Sequence, residues 1–174
     1  MRKILIFSTL SAIIFCLSCE AGAAVVDSSY YGFTIKQEYS IDNAADTVYH
    51  NLVSYIGKWW DSEHTYSGKA SNLWIDAVAG GCFCEKLPDG GSVRHMTVVF
   101  ADPGKTLRMV GGLGPLQSMA VSAVLTFNLS RYANNTKLTI TYTVGGYVPG
   151  GLQKMSVLVD RVLEAQMKRF RDFC

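Results

Sequence analysis

Two histidines lie near acidic residues in positions that could support acid–base chemistry. His64 closes the segment Asp-Ser-Glu-His at 61–64, and a histidine flanked by carboxylates can act as a general base because its ordinary pKa lies near neutral pH. His95 lies on a predicted strand, and Glu85 lies on the strand before it. His64, His95 and Glu85 are therefore the candidates for a catalytic role. None of them is paired with a recognisable nucleophile, and each also fits a surface or rim position.

Cys82 and Cys84 are two residues apart on a predicted strand, so both side chains should point to one face. They could form a metal pair together with His64 or His95, or a redox pair, or they could be two small apolar side chains facing the cavity or core. Zinc sites usually have wider spacing and a second ligand pair, and a disulfide across two positions of an extended strand is strained. We therefore expect two unlinked, buried side chains.

Large amphipathic side chains concentrate near the predicted loops. They can form the mouth of a ligand cavity, or they can pack a helix against a sheet in the ordinary way. The glycine-rich loops 111–114 and 145–151 are predicted to form rims. They lack the Lys-Ser/Thr ending of a phosphate-binding loop, so we predict no cofactor. The aromatic candidates for ligand contact are Trp59, Trp60, Tyr66, Trp74 and Tyr147.

The hydrophobic period predicts the elements that must position these residues. A strand over 33–41 precedes a helix over 45–56, and a final amphipathic helix over 152–173 carries Met155 and Gln166 on its inward stripe. Between the helices the period is two, over segments 73–78, 81–87, 93–101, 106–110, 121–130 and 137–144. This order predicts an α+β domain in which an antiparallel sheet of about seven strands curves around the last helix.

The N-terminal segment has the pattern of a secretory signal peptide. Arg2 and Lys3 precede an apolar run over 4–17, and small residues at 21–23 provide a cleavage site. We expect cleavage after Ala23 and a single domain over 24–174 that is periplasmic or secreted. Cys19 leaves lipid anchoring as an alternative.

The composition excludes several classes of protein. The chain has 174 residues, of which 49% are hydrophobic and 17% charged, a balance that favours a packed core over disorder. A formal net charge of +2 is too small for a nucleic-acid-binding surface. No segment after residue 23 is apolar enough to span a bilayer. An expected mature chain with Cys82, Cys84 and Cys174 leaves at least one cysteine unpaired within a monomer.

The order of elements and three turns resemble the START-like superfamily, also called SRPBCC, whose members share a helix-grip fold. The turns are Gly80-Gly81 before a strand, Asp89-Gly90 in a hairpin and Pro103-Gly104 before the next strand, and the Trp59-Trp60 pair fits as well. The segment pattern, over about 32–173, is most similar to the Hsp90-ATPase-activator-like branch and to the polyketide cyclase and lipid-transport branches. A signal peptide departs from the cytosolic co-chaperones, so an exported bacterial member is expected.

The resemblance implies an apolar cavity between the sheet and the last helix. The leading hypothesis is an exported protein that binds a small hydrophobic ligand, such as a lipid or an aromatic or polyketide-like molecule, without catalysis. The alternatives are an enzyme of the cyclase, dehydratase or hydrolase type that uses a cavity histidine or glutamate, and an envelope interaction module without a ligand. The residues expected to contact the ligand are Trp59, Trp60, Tyr66, Trp74, Cys82, Cys84, His95, Tyr147, Met155 and Gln166.

Overall fold

The computed structural model describes residues 24–133 and 135–174. The expected signal peptide over 1–23 and the alternative anchor at Cys19 lie outside the described residues. The described chain forms eight strands and three α-helices, which succeed one another as β1 (Ala24–Ser28), β2 (Gly32–Ile41), α1 (Ala45–Ser54), α2 (Ile56–Trp59), β3 (Leu73–Ile75), β4 (Cys82–Lys86), β5 (Ser92–Asp102), β6 (Thr106–Val110), β7 (Ala120–Tyr132), β8 (Asn135–Tyr147) and α3 (Gln153–Phe173).

All eight strands belong to one antiparallel sheet in the order β1-β2-β8-β7-β6-β5-β4-β3. The long hairpin of β7 and β8 lies beside β2, and its alternating pattern buries Leu125, Phe127, Ile140 and Tyr142 on one face. That dry face has to be covered, and α3 covers part of it. The predicted α+β architecture, a curved antiparallel sheet with a long C-terminal helix, is confirmed.

Three details differ from the sequence prediction. The sheet has an eighth strand, β1, which pairs with β2 through a bulge and is too short and irregular to show a period of two. The predicted first helix is two helices, because the chain breaks at Tyr55. The strand expected over 73–78 ends at Ile75, where the chain turns toward Gly81. No helix of the described ranges is long and apolar enough to cross a membrane.

Buried polar side chains fasten α3 to β2. Gln37, which is almost fully buried, donates from Nε2 to the Asp160 carboxylate at 2.9 Å and to the Asp160 backbone oxygen at 3.1 Å. The Tyr39 hydroxyl donates to Gln37 Oε1 at 2.9 Å. Burial, together with the nearby Glu164 and Asp160 carboxylates, raises the pKa of Tyr39 to about 12. The phenol therefore stays a donor at ordinary pH, and the helix cannot slide along the strand without leaving buried polar groups unpaired.

The other end of α3 packs against α2. The Trp59 ring lies 4.9 Å from the Phe170 ring, and Arg169 Nε donates to the Trp59 backbone oxygen at 3.1 Å. The closest packing of α3 is thus with β1, β2 and α2. Toward β4 and β5 the two layers separate, and the space between them is the cavity described below.

Replacing Phe170 by alanine tests the role of this helix. Phe170 is fully buried, whereas Phe173 on the same helix is 37% exposed. We expect Phe170→Ala to lower the free energy of unfolding by about 3–5 kcal/mol. Phe173→Ala should cost clearly less. Urea denaturation measures both, and equal losses in the two variants would contradict the packing described here.

Candidate functional site

A cavity of about 570 Å³ lies between α3 and the β4–β5 side of the sheet. Exposed residues such as Leu158 and Tyr66 are part of its lining, so the cavity reaches the surface. The lining is mostly aromatic and aliphatic, and it contains neither lysine nor arginine among the described residues. The lining residues are Trp60, Glu63, His64, Thr65, Tyr66, Phe83, His95, Leu113, Gly114, Pro115, Leu116, Met155, Leu158, Val159, Val162 and Leu163.

A β-bulge turns His95 into this cavity. In the pairing of β4 with β5, Phe83 lies opposite Met96 and Cys84 lies opposite Arg94, so His95 is an extra residue on β5. As a result His95 and Met96 are consecutive and both buried, which regular alternation would forbid. The imidazole packs against the Phe83 ring at 4.8 Å and the Tyr66 ring at 5.8 Å.

The Glu85 carboxylate lies behind His95 and is fully buried. His95 Nε2 is 3.1 Å from Glu85 Oε2, and the backbone N–H groups of Tyr66 and Ser67 donate to the two carboxylate oxygens at 3.1 and 2.5 Å. Burial alone would raise the pKa of Glu85. The hydrogen bonds from Ser67, Tyr66 and His95 outweigh it and hold that pKa below its usual value. Glu85 is therefore ionised at neutral pH.

Burial keeps His95 neutral, and the charge on Glu85 sets its tautomer. Burial lowers the pKa of His95, and the contact with Glu85 opposes this only in part, so the imidazole is neutral at neutral pH. A neutral imidazole beside a carboxylate carries its proton on the nitrogen that faces the carboxylate, which is Nε2. Its Nδ1 is then a hydrogen-bond acceptor, and it has no partner among the described residues.

The mouth of the cavity is closed on one side by Tyr66 and the loop over 111–116. The Tyr66 hydroxyl donates to the Gly114 backbone oxygen at 3.0 Å, and Leu113 N–H donates to the Tyr142 hydroxyl at 3.2 Å. The loop folds tightly, since a Cβ on Gly112 would lie 2.8 Å from the backbone of Leu116. Glycine at 112 thus lets Leu113, Gly114 and Leu116 reach the cavity.

On the other side His64 is held by α3. Gln166 is fully buried, and its Nε2 lies 3.3 Å from His64 Nδ1 while its Oε1 accepts from Asp61 N–H at 2.8 Å. Trp60 Nε1 donates to the His64 backbone oxygen at 3.0 Å. His64 therefore has an amide neighbour rather than the carboxylate that its sequence context suggested.

Of the twelve predicted site residues, five line the cavity and two lie directly behind lining residues. Trp60, His64, Tyr66, His95 and Met155 line it, with Glu85 directly behind His95 and Gln166 directly behind His64. The remaining candidates lie elsewhere. Adjacent residues on a chain point in different directions, so Trp60 faces the cavity while Trp59 packs on Phe170. The other candidates away from the lining are Trp74, Cys82, Cys84 and Tyr147.

The prediction that Cys82 and Cys84 are unlinked is wrong, because the two residues form a disulfide. Their Cα atoms lie 5.5 Å apart, a normal separation for a bridge, at the point where the pairing of β4 with β5 changes register. Both cysteines, like Trp74 opposite Cys84, point away from the face that carries Phe83 and Glu85. The described residues contain no cluster of three or more His, Cys, Asp or Glu suited to a metal.

Several lining residues were missed by the sequence analysis. Phe83 shares a face with Glu85, so the period of two on β4 marks it once the inward face is known. The predicted C-terminal helix also contributes lining residues that its apolar pattern did not distinguish from its other apolar residues, namely Val159, Val162 and Leu163. Of the two predicted rims, the loop over 111–114 contributes to the lining, whereas the loop over 145–151 does not.

Comparison with protein families and with curated protein sequences gives no match. Solved structures do match. An uncharacterised protein from Rhizobium leguminosarum is 15% identical with a TM-score of 0.62, over 85% of this chain and 97% of that one. CalU16 from Micromonospora echinospora is 14% identical with a TM-score of 0.57, over 88% and 83%. Ara h 8.0201 is 12% identical with a TM-score of 0.56, over 82% and 97%. These likenesses show that the chain has the helix-grip fold.

The state of His95 predicts a pH dependence of stability. Its pKa is lower in the folded protein than the ordinary value of 6.5, so the unfolded chain takes up a proton first as the pH falls through 6.5. The free energy of unfolding should therefore drop as the pH falls from about 7.5 to 5.5. Glu85 and Tyr66 face His95 directly, and Glu63 and His64 line the same cavity.

His95→Phe keeps a ring in this position but removes the titrating group. The variant should lose less stability across the same pH interval than the wild type, as measured by urea denaturation at each pH. An equal loss in both proteins would show that His95 is not held neutral.

Proposed function

We propose that this protein binds a small hydrophobic molecule in the cavity between α3 and β4–β5, as a member of the START-like superfamily. The observation that carries the proposal is the cavity itself, about 570 Å³ of space with a mainly apolar lining. Cavities of this size and chemistry are the usual sites for small ligands. The helix-grip fold supports the proposal only as an architecture, because the similar structures share less than a fifth of their residues with this chain.

We also propose that the protein is exported and cut after Ala23, because of the pattern over residues 1–23. The Cys82–Cys84 disulfide supports an oxidising compartment. Native mass spectrometry of protein purified from an exporting host tests both proposals at once. We expect a chain that begins at Ala24 and an additional mass from a co-purified apolar molecule.

A pair of valines on α3 tests where the ligand binds. Val159 lines the cavity, whereas Val157 is 50% exposed and is not part of the lining. Val159→Trp should fill the cavity and weaken the binding of the fluorescent apolar probe N-phenyl-1-naphthylamine by at least about ten-fold. Val157→Trp adds the same side chain outside and should bind the probe as the wild type does. Failure of the wild type to bind this probe, or equal binding by both variants, would contradict the proposal.

The second candidate is an enzyme, and one observation favours it. A neutral histidine, oriented by a buried carboxylate and facing an apolar cavity, is the arrangement of a general base. His95 Nδ1 could take a proton from a carbon next to a ketone, leaving an enolate that later takes a proton back. This step is the kind that cyclases and dehydratases require.

Exchange of the α-protons of 1-tetralone in deuterated buffer measures this step without knowledge of the natural substrate. The enzyme reading predicts that the protein accelerates the exchange followed by NMR, and that His95→Phe reduces the acceleration by about 10²-fold or more. His64→Phe is the control, since it changes the other histidine of the lining. If the wild type exchanges no faster than buffer, His95 does not act as a base on such ketones and the enzyme hypothesis is contradicted.

A further inference from the structure

We propose that the ligand is a neutral, flat, apolar ring system carrying a hydroxyl group, a phenol or an enol, which donates a hydrogen bond to His95 Nδ1. The inference rests on the proposed binding function and adds the chemical class of the ligand. Three features of the site support it: the acceptor, the shape of the walls and the charge.

The acceptor is an imidazole nitrogen that the protein leaves unused. His95 Nε2 is committed to Glu85, which in turn is held by the backbone of Tyr66 and Ser67. Nδ1 has no hydrogen-bond partner among the described residues. Within the same residues the fully buried polar side-chain atoms without a partner are Tyr49 Oη, Trp59 Nε1 and Gln153 Oε1. Nδ1 is not one of them, so it keeps some accessible surface. Since His95 lines the cavity, a hydroxyl donor inside the cavity can reach Nδ1.

The two walls of the cavity differ in a way that suits a flat ring. Four rings contact one another in series on the sheet side: Trp60 with Phe83 at 5.5 Å, Phe83 with His95 at 4.8 Å, and His95 with Tyr66 at 5.8 Å. The helix side is aliphatic, from Met155, Val159 and Leu163. An aromatic ligand can stack or meet ring edges on one wall while it packs against aliphatic groups on the other.

The charge of the site disfavours an anionic ligand such as a fatty acid. The Glu85 carboxylate is ionised and lies 3.1 Å from His95, and Glu63 is also part of the lining. The described lining has no lysine or arginine to pair with a ligand carboxylate. A carboxylate would therefore be desolvated beside like charge without compensation, whereas a neutral hydroxyl pays no such cost.

Three naphthalenes of nearly the same shape separate these features, with binding measured by calorimetry at pH 7.5. The probes are 2-naphthol, which can donate, 2-methoxynaphthalene, which cannot, and 2-naphthoate, which is anionic. We expect the wild type to bind 2-naphthol about five-fold tighter than 2-methoxynaphthalene, the typical effect of one hydrogen bond, and to bind 2-naphthoate most weakly. His95→Phe should bind 2-naphthol and 2-methoxynaphthalene equally.

A measurement on the wild type alone covers the case in which His95→Phe does not fold. The ¹⁵N resonance of His95 Nδ1 should move when 2-naphthol binds and should stay in place with 2-methoxynaphthalene. Equal affinity for these two probes, or tighter binding of 2-naphthoate, would overturn the ligand class while leaving cavity binding intact. If 2-naphthol, 2-methoxynaphthalene and 2-naphthoate all fail to bind but N-phenyl-1-naphthylamine binds, the ligand class is overturned and cavity binding is not. If that probe fails as well, the binding function itself is overturned.

Discussion

The buried carboxylate of Glu85 is the constraint on which the site depends. A fully buried charge is tolerated only when it is hydrogen-bonded, and here the donors come from two different segments: the imidazole of His95 on β5 and the backbone at 66 and 67. The same carboxylate therefore sets the tautomer of His95 and ties down the segment that carries Tyr66. Without this carboxylate the tautomer of His95 would no longer be fixed, and the segment that carries Tyr66 would lose its hydrogen bonds. A change at Glu85 therefore affects the acceptor nitrogen and the cavity mouth together.

The second constraint is the packing of α3, which is tight against β2 and α2 and open toward β4 and β5. The polar cluster of Gln37, Tyr39 and Asp160 fixes the helix over β2, and the contact between Phe170 and Trp59 fixes its C-terminal end. Two fixed points determine where a rigid helix lies, so the gap toward β4 and β5 cannot be closed by a small shift of α3. The cavity therefore follows from where the helix is attached.

The sequence predicted the architecture because hydrophobic period is a local property. The alternation over β7 and β8 and the stripe on α3 were both visible without tertiary information. The site was only partly predictable, because its residues depend on which face of a strand turns inward. Phe83 and Glu85 alternate with Cys82 and Cys84, and the pattern alone does not say which pair is inside. The bulge at His95 is a change of register between two strands, and the disulfide lies beside it; neither leaves a mark in composition or period.

The geometry proposed for binding would also suit catalysis, and the difference lies in the group that contacts His95 Nδ1. An acceptor that faces a ligand hydroxyl gains a hydrogen bond and holds the ligand in one orientation. The same nitrogen facing an acidic C–H bond would take the proton, and the charge that develops on the imidazole would be stabilised by Glu85 at 3.1 Å. The enolate that remains would need its own donor. The two polar groups next to His95 do not supply a donor to the enolate. The Tyr66 hydroxyl already donates to the Gly114 backbone oxygen, and the Glu85 carboxylate can only accept. Among the described residues next to His95, the proposed binding uses only groups already in place, whereas catalysis would also need a donor for the enolate; we therefore propose binding first.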